Sequence, residues 1–299
     1  MKKIALGTSL WGWSVKKKTC HNLLDIFYSN GGRYIDTASN YPINNNEKSR
    51  YISEDIISEW LKVNDISDLK VIYKVGSISN KNSPINNLSS KFLIDEHKRI
   101  KEKLNKNLKV FMIHWDNRND SSLIFKTIKT ITSFNDCNYG FSGIENVNLY
   151  NNEFKKFSVQ KPYYLEIKSN ISFSNLSHYK PLISDKSKIF SYGISVSGLK
   201  VNKHKYRKNS YVNLTKSKDY HDRLMNNNFL KKINKIKKID KSVKSMYHIG
   251  ILHSESDAKL YGYIVAPSSL KQMNDIIDFR IKTQSIINQY QYLIKNNNL

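Results

Sequence analysis

The sequence is poor in several features that would each have decided its class. Two cysteines in 299 residues, Cys20 and Cys137, exclude a disulfide framework and a cysteine-rich zinc module. No stretch approaches the ~18 consecutive apolar residues of a membrane span. Five prolines and eleven glycines leave no linker rich enough to split the chain. Gly7 and Gly12, after the first strand-like run, do not make the G-x-G-x-x-G loop that a doubly wound dinucleotide sheet normally carries. Acidic residues are scarce, 25 against 49 basic ones, for a net charge of +24. Such an excess suits polyanions, but net charge does not set fold or function. The Lys/Asn/Ile/Tyr-heavy spelling reads as a lysine-coated surface, so no nucleic-acid or membrane partner is expected. Met1-Lys2-Lys3 and the apolar run to Val15 imitate a signal peptide. Gly7, Thr8, Ser9, Gly12 and Ser14 dilute that run, and Lys16-Lys17-Lys18 stands where a cleavage site should be. The segment reads as a buried first strand, and the expected compartment is the cytoplasm.

What is present is a regular alternation. At 39% hydrophobic residues the chain can bury a real core. Short apolar runs of β type recur at Ile4–Thr8, Tyr34–Ala38, Val71–Val75, Val110–Trp115, Tyr139–Ser142, Tyr163–Ile167, Ile189–Tyr192 and Gly262–Ala266. Helical spacing fills most of the gaps, most clearly over Glu47–Leu61, where Tyr51, Ile52, Ile56, Ile57, Trp60 and Leu61 recur at three- and four-residue intervals. His21–Tyr28, Ile94–Leu104, Ser122–Ile131, Phe229–Val243 and Leu270–Ile277 also read as helices. Eight strands alternating with helices predict one domain over residues 1–299, a closed (β/α)8 barrel, with an open doubly wound sheet as the alternative. The polar, basic stretch Lys200–Tyr220 is a loop long enough to suggest function. In Lys231–Lys238 the lysines alternate helically with isoleucines, as on a solvated helix face.

In a parallel barrel the C-terminal strand ends converge on one mouth. The second strand ends in Asp36-Thr37-Ala38 with Tyr41 just beyond, the third in Lys74-Val75-Gly76, and the fourth carries His114 at its tip. Each alone has an ordinary explanation; four at successive strand ends are a candidate catalytic group. A tyrosine titrates near pH ~10, and an ammonium close by favours its phenolate and makes it a better proton donor. A carboxylate keeps the ammonium charged and aimed, and a neutral histidine can orient a substrate carbonyl. The group has no nucleophile, metal-ligand cluster or electron carrier, so a hydride must come from outside, which points to a nicotinamide.

These segments resemble the aldo-keto reductase family. Gly31–Tyr41 is similar to that family's second-strand signature, and Asp36, Tyr41, Lys74 and His114 then fill its catalytic places. Ile4–Thr8 with Trp11-Gly12 resembles the opening strand, which brings Gly7 and Thr8 to the cofactor. Gly140-Phe141-Ser142 resembles the fifth strand, whose serine binds the nicotinamide carboxamide. Tyr192–Leu199 resembles the seventh, whose tyrosine stacks on the nicotinamide. Ile264–Met273 resembles the segment holding the adenosine phosphate, which implicates Ser268, Ser269, Lys271, Gln272 and Asp275.

Four positions depart from the pattern. The usual Ser-Asn pair reads Ser142-Gly143, and the sixth-strand glutamine reads Glu166, which can still accept from a carboxamide NH2 but adds a charge. The frequent arginine reads Gln272, and the usual Glu-Asn reads Asp275-Ile276. The resemblance implies an NADPH-dependent oxidoreductase, with NADPH expected over NADH, that interconverts a small-molecule carbonyl and its alcohol. The basic residues Lys200, Lys203, Lys205, Arg207 and Lys208 suggest a clamp on the pyrophosphate or on an anionic substrate. Phe279–Ile294 reads as a helix near the end of the sequence, without the long loop that often walls the family's pocket. That suggests an open mouth and a bulky or polar carbonyl such as a sugar derivative. The alternatives are a nicotinamide-nucleotide sensor or regulatory subunit on the same barrel, and a basic polyanion-binding protein.

Overall fold

The computed structural model describes residues 1–80, 85–157, 161–200, 206, 208, 210, 212–213, 224 and 226–295. Eight parallel strands form the barrel: β1 (Lys3–Gly7), β2 (Tyr34–Ala38), β3 (Lys70–Val75), β4 (Leu108–Asp116), β5 (Asn138–Ile144), β6 (Tyr163–Asn170), β7 (Ser187–Tyr192) and β8 (Gly262–Val265). They are hydrogen-bonded in the order β5-β4-β3-β2-β1-β8-β7-β6, and β6 pairs back to β5, which closes the sheet. All eight sequence-predicted strands are found, several of them longer by one to three residues at an end.

Among the described residues, the outer layer is formed by α1 (Lys17–Ser29), α2 (Ile52–Val63), α3 (Ser90–Leu104), α4 (Ser121–Thr132), α5 (Val147–Phe154), α6 (Asn227–Lys237), α7 (Met246–Ser256) and α8 (Leu270–Lys295). Side-chain caps start several of them: Ser89 accepts from the Phe92 N–H, Asp120 from Leu123 and Asn226 from Phe229. The crossover from β6 to β7 lacks an α-helix. A two-residue strand, Phe173–Ser174, folds back on β6, and a 3-10 turn, Lys180–Leu182, completes the connection.

Three helix readings are corrected. Phe229–Val243 is helical only to Lys237; beyond the helix Asp240 accepts from the Ser242 N–H at 2.7 Å in a separate turn. Leu270–Ile277 and Phe279–Ile294 are one continuous helix, α8. Glu47–Leu61 begins as a 3-10 turn, Glu47–Ser49, and Tyr51 at φ 70° separates it from α2. The spacing gave no sign of α5 or α7. Helix α7 is buried nearly all round, including Met246 and His248 through Leu252, so it has no polar face to set a period. A Cβ on its Gly250 would stand 2.4 Å from the Ile194 carbonyl oxygen, so glycine lets this helix lie against the loop after β7.

The core has two layers. The larger lies between sheet and helices and includes Leu23, Leu24, Trp60, Phe111 and Ile249. The smaller fills the barrel itself with Ala5, Tyr34, Ile72, Val110, Met112, Tyr164, Phe190 and Ile264. Tyr34 and Phe190 pack at 5.4 Å between ring centroids, and Phe190 stacks on Tyr164 at 6.4 Å. This aromatic plug fills the inside of the barrel below the cavity at the C-terminal strand ends. As the sequence suggests, α6 buries Phe229, Ile233 and Ile236 while Lys231, Lys235 and Lys238 face solvent. Among the described residues, no helix is long and apolar enough to cross a membrane.

Candidate active site

A cavity of about 1020 Å3 opens at the C-terminal end of the barrel, and Asp36, Tyr41, Lys74 and His114 all line it. Strand register brings them there. Asp36 sits beside Gly7, Lys74 beside Ala38, and His114, Ser142 and Glu166 form one row across β4, β5 and β6. The loops between are tied down. The Thr8 N–H and hydroxyl both donate to the Asp36 carbonyl, at 3.1 and 3.0 Å. The Ser39 N–H donates to the Lys74 carbonyl, and the Asn40 amide donates to Ser77 and to the Ser79 carbonyl.

The Lys74 ammonium is the electrostatic centre. It is ion-paired with Asp36, lies 3.0 Å from a Glu166 oxygen, and is 5.3 Å from the centroid of the Tyr41 ring. All four residues are buried. Burial pushes the Lys74 pKa below the usual lysine range, and the Glu166 carboxylate pushes it back up. The His114 ring stands perpendicular to Tyr41, with centroids 6.1 Å apart. Burial, then the Lys74 charge, holds His114 well below the ordinary histidine range, so its imidazole is neutral at pH 7. Its Nδ1 has no hydrogen-bond partner among the described residues. The arrangement can hold a carbonyl oxygen beside a phenol and a neutral imidazole, with an ammonium behind.

Of the residues implicated in cofactor binding, Gly7, Ser142, Glu166, Tyr192, Ser268, Ser269 and Gln272 line the cavity. Thr8, Lys271 and Asp275 are not part of its lining. Thr8 is spent on Asp36, as above, and the exposed Asp275 lies 2.9 Å from His248. Ile276, where the family has asparagine, is fully buried in the core. At the start of α8 the Ser269 hydroxyl accepts from the Gln272 N–H, and the Gln272 side chain accepts from the Ser268 N–H and hydroxyl. A helix start of this kind suits a phosphate, because the first N–H groups of a helix have no partner within it.

Gly143 is explained by its neighbour. It holds φ +66°, and a Cβ there would stand 2.2 Å from Cδ1 of the Trp115 indole, which lies against it. The missing asparagine is thus a space occupied by tryptophan. Of the basic loop, Lys200 and Lys208 line the cavity, whereas Lys203, Lys205, Arg207 and most of Lys200–Tyr220 lie outside the described residues. Sequence reasoning missed Lys168, which lines the same cavity two residues beyond Glu166. Reading every second residue along β6 would have found it, because alternate side chains share a face.

Comparison with known proteins bears on the family and the fold. A family model described as "Aldo/keto reductase family" matches residues 3–289. No curated protein matches. Among solved structures, a glycerol dehydrogenase from Gluconobacter oxydans is similar at 13% identity and TM-score 0.67, over 96% of this chain and 90% of that one. An aldo-keto reductase from a Medee basin deep-sea metagenome library is similar at 15% identity and TM-score 0.63, over 96% and 91%. At such identities these two likenesses speak for the fold.

Proposed function

The chain belongs to the aldo/keto reductase family of carbonyl/alcohol oxidoreductases, and from that premise we propose that it interconverts an aldehyde, ketone or sugar derivative and its alcohol with NADPH. The observation that carries this reading is the convergence of Tyr41, Lys74, Asp36 and His114 on one cavity above a filled barrel. A bound nicotinamide would supply the hydride that reduces the carbonyl carbon. Tyr41 gives its proton to the carbonyl oxygen, and the Lys74 ammonium stabilises the phenolate left behind. Asp36 holds that ammonium charged, Thr8 fixes Asp36, and neutral His114 hydrogen-bonds the carbonyl and fixes its angle.

The residues fit a nicotinamide dinucleotide. The cavity is large enough, and the buried Glu166 Oε1 has no hydrogen-bond partner among the described residues, so an amide donor can be received there. Ser142 and Tyr192 would hold the same end, with Gly7, Ser268, Ser269 and Gln272 toward the phosphates. The preference for NADPH over NADH rests on Ser268, Ser269 and the helix start, with Lys271 nearby in sequence. Lys168, Lys200 and Lys208 around the cavity support an anionic substrate or a hold on the pyrophosphate.

A fluorescence titration with NADPH and NADH, followed by a panel of small aldehydes, tests the reading. In Tyr41→Phe, carbonyl reduction should drop by about 10²–10⁴-fold with nucleotide binding nearly unchanged. Full activity in that variant rejects the proton role. Nucleotide binding without turnover in the unmodified protein favours the sensor reading, which the tryptophan-filled position at Gly143 supports.

A further inference from the structure

Two carboxylates, Asp36 and Glu166, share the single Lys74 ammonium in the buried centre of this site. Asp36 already neutralises Lys74, so Glu166 adds a surplus negative charge in the buried centre; Lys168, Lys200 and Lys208 also line the cavity but are half-buried or exposed, where water and salt screen them. Its side chain is 2% exposed, one oxygen faces Lys74, and the other, Oε1, has no hydrogen-bond partner among the described residues. Glu166 also lines the cavity, in register with Ser142 and one strand from Tyr192. A glutamine would offer the same reach and the same acceptor oxygen without the charge. An ionised carboxylate short of partners in a buried site is costly, and what repays that cost is a cation.

We infer that Glu166 makes this site select the redox state of its nucleotide, binding the oxidised, cationic nicotinamide more tightly than the neutral reduced one. The inference rests on the proposed nicotinamide site and goes beyond it. The physical basis is charge alone. The oxidised ring carries a positive charge that the reduced ring lacks, so a surplus carboxylate in the same cavity stabilises one form and is nearly indifferent to the other. At the effective dielectric of about 20 that suits partly buried sites, a unit charge several ångströms away is worth up to about a hundredfold in affinity, and sharing with Lys74 reduces this.

The test is the ratio of two dissociation constants, for NADP+ and NADPH, in the unmodified protein and in Glu166→Gln, read by intrinsic fluorescence or calorimetry without turnover. The expected result is that Glu166→Gln weakens NADP+ by about 10- to 100-fold and changes NADPH by less than about threefold. An unchanged ratio, or an equal loss for both forms, overturns the inference and leaves the proposed function standing. Failure of the unmodified protein to bind either nucleotide, or NAD+ or NADH, removes the proposed function and the inference together. Should Glu166→Gln fail to fold by circular dichroism, the unmodified ratio decides. Tighter binding of NADP+ supports the selector, and tighter binding of NADPH overturns it.

Discussion

Replacing Lys74 with methionine isolates the charge arrangement at the centre of the barrel. Methionine keeps the length and apolar stem of the side chain but leaves Asp36 and Glu166 buried without their shared cation. At an effective dielectric of about 20, an ion pair at the 3.0 Å seen for Glu166 is worth roughly 5 kcal/mol in isolation. Protonation of one carboxylate recovers part of that loss. A net cost of about 3–5 kcal/mol follows, the usual range when one partner of a buried pair is removed. With an unfolding entropy of about 2.1 cal/mol/K per residue over 299 residues, that is a fall in Tm of about 5–8 °C. Calorimetry at pH 7 measures it. The pH dependence gives a second reading. Without Lys74 the carboxylate pair holds a proton more tightly folded than unfolded, so the deficit should be largest at neutral pH and shrink as pH falls toward about 4. The triple variant Asp36→Asn, Lys74→Met, Glu166→Gln removes all three charges of the cluster and should recover most of the loss. A Lys74→Met protein as stable as the unmodified one, or a deficit that grows on acidification, would refute the reasoning.

Acid sensitivity should appear well above the carboxylate range. Burial lowers the pKa of His97, His114, His248 and His253, so each takes up its proton more readily unfolded than folded. Stability is then level above about pH 7 and falls below pH ~6.5, by up to about 1.4 kcal/mol per pH unit for each histidine. Urea midpoints at pH 7.5, 6.5 and 5.5 measure this, and a level series would show that these rings are not buried in the neutral form. Gly143→Asn, which restores the family's residue, should destabilise by about 1–3 kcal/mol, because its Cβ meets the Trp115 indole. Thermal melts and an NADPH titration check it; an unchanged Tm with tighter binding would show that Trp115 gives way.

Local residue pattern was enough to pick out the strands and the four residues that meet at the cavity. A strand buried on both faces must be spelled as a short apolar run, so eight such runs stood out, and Tyr34–Ala38 was bounded correctly at both ends. Asp36, Tyr41, Lys74 and His114 were legible because barrel geometry turns position at a strand end into position at the mouth. Helices with one wet face, such as α2 and α4, were legible for the same local reason. The rest depends on residues far apart in the chain. Helix α7 carries no pattern because other elements cover it on nearly every side. Gly143 looks like a lost asparagine until Trp115, from another strand, is seen in its space. Asp275 turns to His248, and Thr8 to Asp36, because those partners come from other elements. Glu166 read as one altered cofactor residue, but barrel closure sets β6 across from β3 and makes it the second carboxylate on Lys74. Residue type and local period fix which face a side chain takes, whereas the charge it meets there is set by the strands that closure brings round to it.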